Sequence, residues 1–174
     1  MPITPFHFGP GALVAVASRS SVSFLAFAAT DVIIDVESLY NMVTAQPRIH
    51  TFFHTYIGST IAAALIVLAF LPCRWLALKL PAWPLLRWRH LSIAAVVLGS
   101  LVGAWSHVLF DSVMHIDITP LAPYSNANPL YQLVSLQALH LGCVIAGVLG
   151  VVWYLLRSNP SLWAAAGFVD TTLG

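Results

Sequence analysis

The side chains able to do chemistry in this chain recur in four-residue steps. His107-x3-Asp111-x3-His115 brackets a carboxylate with two imidazoles, His50-x3-His54 pairs two more, and Asp31-x3-Asp35 pairs two carboxylates, with Glu37 close behind. On a helix, residues four apart are neighbours on one face. Imidazole and carboxylate are ligands of zinc, manganese and iron. A catalytic ion takes about three protein ligands and keeps a position open for water, whose pKa it lowers toward ~7. A spare carboxylate or histidine beside it then serves as general base. One HxxxD or HxxxH pair is a weak signal, since it usually means a hydrogen bond along a helix. Several pairs brought to one membrane face are more specific. The plainer reading is a buried polar network that only fixes helix packing.

The elements holding these residues must lie in lipid. The chain has 174 residues, 59% hydrophobic and 7% charged, with mean hydropathy +0.87. Soluble domains carry roughly 25% charged residues, so this chain cannot cover a water-facing surface. A net charge of +1 gives no basic patch for nucleic acid. The first positive charge is Arg19, so the start lacks the basic region of a secretory signal. Cys73 and Cys143 have no metal-ligand spacing and read as packing residues.

Three stretches approach the ~20 apolar residues a spanning helix needs: Tyr56–Pro72, Leu91–Phe110 and Ser135–Leu156. In lipid every backbone group must be paired within its own segment, so these are helices. Glycines at 58, 99, 103, 142, 147 and 150 would let them pack closely. The expectation is an all-α polytopic membrane bundle of four to five helices forming a single domain over 1–174. Residues 1–55 carry the N-terminal helices and the acidic and histidine motifs, and 157–174 form a short tail. Gly11–Ala29 is either one imperfect span or a short helix, a turn at Ser18–Ser21 and a second helix from about Val22 to Tyr40. Arg19 among serines favours the hairpin.

Arg74, Lys79, Arg87 and Arg89 crowd the connection after the first clear span, interleaved with Trp75, Trp83 and Trp88. That places this connection in the cytoplasm, with Arg157 on the same side. Five of the six carboxylates and at least five of the seven histidines then gather at the opposite ends of the helices. Ionisable groups in or near spans mark function by default. The hairpin returns His7 to that face, whereas a continuous span would strand it on the other. His90 beside Arg89 reads as a surface residue, His140 as helix packing, Asp117 as a turn former and Asp170 as a solvated tail residue. Arg48 reads equally as an interfacial anchor or as a guide for an anionic substrate.

The pattern resembles the bacterial predicted membrane-bound metal-dependent hydrolases, themselves distantly similar to zinc-dependent phospholipase C and P1-type nucleases. The matching segments are PFHFGPG with His7, IDVES with Asp35 and Glu37, FHT with His54, SHVLFD with His107 and Asp111, and the trailing HIDITPLAP at 115–123. They run in the family's order over 7–123, about two-thirds of the chain. Ile34 replaces the proline of the acidic motif, Ser38 its histidine and Glu37 its second aspartate, and His50 is one residue out of register. The resemblance implies His7, Asp35, His54, His107 and Asp111 as metal ligands, with zinc ahead of manganese or iron. It implies hydrolysis, of a phosphoester or lipid, at the membrane surface. Glu37 and His115 are the expected catalytic base or supporting groups, His115 from spacing alone. Expected partners are membrane lipids, a small-molecule or lipid substrate and a second copy in a homo-oligomer, in a bacterial inner membrane. Proton or metal-ion transport, haem binding and a non-catalytic polar network are the rival classes. No H-E-x-x-H is present for a metalloprotease.

Overall fold

The computed structural model describes residues 5–19, 21–80 and 88–159, and they form five α-helices. The expected all-α bundle is borne out. A 3-10 turn over Pro5–His7 leads into α1 (Phe8–Ala17), followed by α2 (Phe24–Val43). A second 3-10 turn, Phe52–His54, precedes α3 (Tyr56–Lys79), and α4 (Ile93–Met114) and α5 (Leu136–Ser158) complete the order. The expectations for Trp83, Arg87, Asp170 and the tail from Pro160 fall outside the described residues.

The N-terminal third is the hairpin. Ser18 Oγ donates to Ala15 O and accepts from Val22 N, and Arg19 takes the left-handed φ of 52° that lets the chain reverse. Four hydroxyl caps then set where the long helices begin. Ser23, Thr55, Ser92 and Ser135 each accept the N–H three residues on, satisfying a donor the helix leaves orphaned. α3 outruns its expected end because Pro72 is tolerated inside it, and the helix continues to Lys79.

α3, α4 and α5 are each long and apolar enough to cross a membrane. α2 and α4 run side by side in the same direction. Ser23 N donates to Ala95 O, and a Cβ on Gly103 would lie 2.8 Å from Phe27 O. Glycine is therefore required for this backbone contact. α3 runs the other way, and Ile34, Ala62, Ala63 and Ala104 make the core between α2, α3 and α4. α1 lies along α5, joined at its far end by Arg157 Nη1 donating to Val16 O. Arg19, Arg74, Lys79, Arg89 and Arg157 thus sit at the end away from the clustered histidines, with only His90 beside them among the described histidines, the kind of bias that sets membrane orientation. Cys143 is buried, whereas Cys73 is exposed on α3 and takes no part in the core.

Candidate metal centre

α2 and α4 being parallel, their four-residue steps stay in register. Asp31 and Asp35 on one helix face His107 and Asp111 on the other. α3 enters antiparallel, so the turn that opens it sets His54 between them. The hairpin returns His7 to the same depth. Asp35, His54, His107 and Asp111 are 7%, 0%, 0% and 3% exposed. One ligand atom from each lies within 4.8 Å of all the others.

The distances suit a cation better than a hydrogen-bonded network. His107 Nε2 lies 3.3 Å from Asp35 Oδ1 and 3.3 Å from Asp111 Oδ2. His54 Nε2 lies 3.4 Å from Asp111 Oδ2 and 3.9 Å from Asp35 Oδ1. A tetrahedral ion with bonds of ~2.0–2.1 Å sets its ligand atoms about 3.3 Å apart. Both ring nitrogens of His7, His54 and His107 are buried without a hydrogen bond to the described residues, as are both oxygens of Asp31. Buried polar atoms are nearly always paired, and a cluster of exceptions calls for an explanation such as an ion. His7 Nε2 stands 3.2 Å from Asp111 Oδ1 and joins Asp31 and His107 in a second, overlapping group of potential ligands.

A carboxylate also faces the opposite nitrogen of each inner histidine. Asp31 Oδ1 is 3.7 Å from His107 Nδ1, and Glu37 Oε2 is 3.8 Å from His54 Nδ1. Metal-binding histidines commonly have such a partner, which fixes the ring and its tautomer. Glu37 also braces the backbone. Its oxygens accept the N–H groups of Phe52 (3.1 Å) and Phe53 (2.8 Å), holding the turn that carries His54. Asn41 on α2 steadies the same loop through Ile49 O and Thr51 Oγ1.

His50-x3-His54 is not a helix-face pair. The Thr55 cap delays α3 until Tyr56, so His50 lies in the preceding loop and His54 in the 3-10 turn. His115 closes α4 as its C-cap: its N–H still donates to Asp111 O at 2.8 Å, which keeps the helical step, while its own backbone turns extended. Asn128 Nδ2 donates to the Ser112 and His115 carbonyls at this helix end. The His50 and His115 rings nonetheless pack against each other, tilted by 31° with centroids 4.2 Å apart. His50 Nδ1 is 2.9 Å from Asp117 Oδ1, and His50 N donates to Asp117 Oδ2 at 3.2 Å. Asp117 is therefore more than a turn former. Arg48, itself exposed, donates to Asp117 O at 2.7 Å.

Burial pushes the His115 imidazole down to about 4, aided by the nearby His50, so it is neutral and able to ligate at neutral pH. Burial, with His54 close by, also lowers His50, although Asp117 works against it. Burial would raise Asp117, but the His50 ring and backbone N–H outweigh it and hold the carboxyl below its usual range.

His90 is exposed and accepts a hydrogen bond from Arg89 Nε, and His140 stacks on Phe6 with centroids 4.2 Å apart. Sequence reasoning left Asp31, His50 and Asp117 out of the site although the structure places them in it. Asp31-x3-Asp35 and His50-x3-His54 were the signals that pointed to the first two. Nothing local announced Asp117, whose partner is 67 residues away. The chain matches no family model, no curated protein and no solved structure.

Proposed function

We propose that this chain is a membrane-embedded metal-dependent hydrolase whose buried ion is held by Asp35, His54, His107 and Asp111, with His7 beside them. The convergence of those four buried ligand atoms carries the reading. The donor set, two imidazoles and two carboxylates, suits zinc first and manganese or iron next. A divalent ion there supplies Lewis acidity, polarising a phosphoryl or carbonyl oxygen and making water more acidic.

The chain's own residues do the remaining work. Asp31 and Glu37 face the Nδ1 atoms of His107 and His54 at 3.7 and 3.8 Å, an ion-pair range that favours Nδ1–H and leaves each Nε2 for the ligand position. Both oxygens of Glu37 accept backbone N–H groups, so it positions the turn that carries His54. The inner cluster is buried, and His115 and Asp117 are the partly exposed groups beside it. Arg48 stands at that rim, where its guanidinium can meet an anionic phosphoester. The site lies at one end of helices long enough to span a bilayer, so a lipid headgroup or another ester at the membrane surface is the substrate class it suits.

The test is metal analysis of detergent-purified protein after dialysis against zinc, manganese or iron, followed by assay on a chromogenic phosphoester and on phospholipid vesicles. We expect bound metal and hydrolysis in the wild type, with both lost in folded His54→Ala and His107→Ala. A wild type that stays metal-free after reconstitution would leave only a packing network. One that holds metal but cleaves neither substrate would refute the phosphoester assignment.

A further inference from the structure

We propose that His50 and His115, with a carboxylate oxygen of Asp111, hold a second divalent cation beside the first, and that this outer ion is the one that meets substrate. The inference rests on the reading of the inner cluster as a metal site and extends it.

Two observations support it independently. One ligand atom from each of His50, Asp111 and His115 lies within 4.8 Å of the other two, so three elements converge on a common point. They are the loop before α3, the body of α4 and the segment just beyond α4. The second observation is the state of His50. Its Nδ1 is held by Asp117, as the Nδ1 atoms of His107 and His54 face Asp31 and Glu37. All three histidines thus have a carboxylate on the Nδ1 side, hydrogen-bonded for His50 and 3.7 and 3.8 Å away for the other two, which leaves the opposite nitrogen for a cation. A histidine that merely paired with a surface aspartate would have no need of deep burial. His50 is 5% exposed and packs against the rings of both His54 and His115.

The two positions differ in a way that assigns their roles. The inner group offers four protein ligands and is shut off from solvent. Four protein ligands crowd the inner position, whereas three leave an open place for water or substrate at the outer one. The outer group offers three ligands, and His115 is only partly buried. Asp111 belongs to both groups. Carboxylate-linked ions about 3.5–4 Å apart clamp the attacking and leaving oxygens of a displacement. That pairing fits a phosphoester or another ester presented at the rim, where Arg48 adds a cationic donor.

The experiment is stoichiometry on the full chain in detergent, titrated with zinc and measured by mass spectrometry after removal of free metal. Wild type should hold about two equivalents, and His50→Ala and His115→Ala about one each. His107→Ala should lose the inner ion, and Asp111→Ala should lose both. Asp117→Asn should weaken only the second equivalent, by about 10–100-fold. Since His50→Ala removes a buried ring and risks misfolding, cobalt titration of the wild type serves as a second measurement. The second equivalent should attenuate the paramagnetic signal of the first through the shared carboxylate. One equivalent in wild type, unchanged in His115→Ala, overturns the outer site and leaves the inner one standing. Two equivalents that survive in folded His115→Ala also overturn it, placing the second ion elsewhere. A wild type with none overturns both readings.

Discussion

α4 and α5 are nearly the same helix by composition, at 22 and 23 residues with mean hydropathy 1.9 and 2.1 over their most apolar windows. Their surroundings are opposite. In α4, 44% of that window is buried, but only 11% in α5. α4 presents Gly99, Ser100, Gly103, Ala104, His107 and Asp111 to its neighbours in the three-and-four spacing of a helix face. α5 buries Cys143 and Gly150 and leaves most of its large apolar side chains outward. Hydropathy thus reports that a helix lives in lipid and says nothing about whether lipid or protein surrounds it. The discriminating signal is where small and polar residues fall: close packing in membranes depends on them, since lipid tails are as apolar as leucine.

The two helices should therefore respond very differently to bulk. Gly103→Leu on α4 forces a side chain into the Phe27 backbone, whose oxygen already stands 2.8 Å from where a Cβ would be. Thermal unfolding in detergent should show a loss of about 3 kcal/mol or more. Val148→Leu on α5, at a position 57% exposed, should stay within about 0.5 kcal/mol of wild type. Equal losses would mean that α5 is packed against something the single chain does not contain, such as a second copy.

The histidines on the two helices sharpen the comparison by chemistry. His107→Ala should abolish tight metal binding at the inner site. His140→Ala should leave metal content unchanged, because that ring stacks on Phe6 and belongs to none of the groups of potential ligands. Loss of metal in His140→Ala would break the separation between a functional and a lipid-facing helix.

What could be read beforehand follows the same division. Regular helices carry their periodicity in the chain, so the spans, the Asp31/Asp35 step and the His107/Asp111 step were legible. Choosing the hairpin was enough to return His7 to the site. The loop residues were not legible, because their placement depends on caps and distant latches. His115 was legible from its helical step, because its N–H still bonds Asp111 O, whereas His50 lies in the loop before α3 and is placed by Asp117, far away in sequence. Glu37 was legible as an acid near the site but not as the clamp on Phe52 and Phe53, since that role depends on a loop conformation no local pattern encodes.

Smaller effects are expected from the carboxylates behind the rings. Asp31→Asn keeps the shape of a buried side chain while removing the charge facing His107 Nδ1. Inner-site affinity should fall about 10–100-fold without loss of fold. Competition with a zinc chelator would read this directly, and an unchanged affinity would mean that Asp31 does not position His107.

The smallest effect lies within α5 and separates its two sides. A Cβ on Gly142 meets nothing within 4 Å, whereas one on Gly150 would stand 2.8 Å from Leu13 N. Gly142→Ala therefore adds a methyl to open surface and removes the backbone entropy that glycine costs a helix. It should raise stability in detergent by about 0.5–1 kcal/mol. Gly150→Ala pushes α1 away from α5 and should lower stability despite the same gain in propensity. Since α1 begins just after His7, that displacement should also weaken metal binding, a consequence Gly142→Ala cannot share. Measured together by thermal unfolding and zinc competition, the pair tests whether α5 serves the site only through the face that carries α1. A Gly142→Ala protein as destabilised as Gly150→Ala would show that the outward face of α5 is covered by protein and not by lipid.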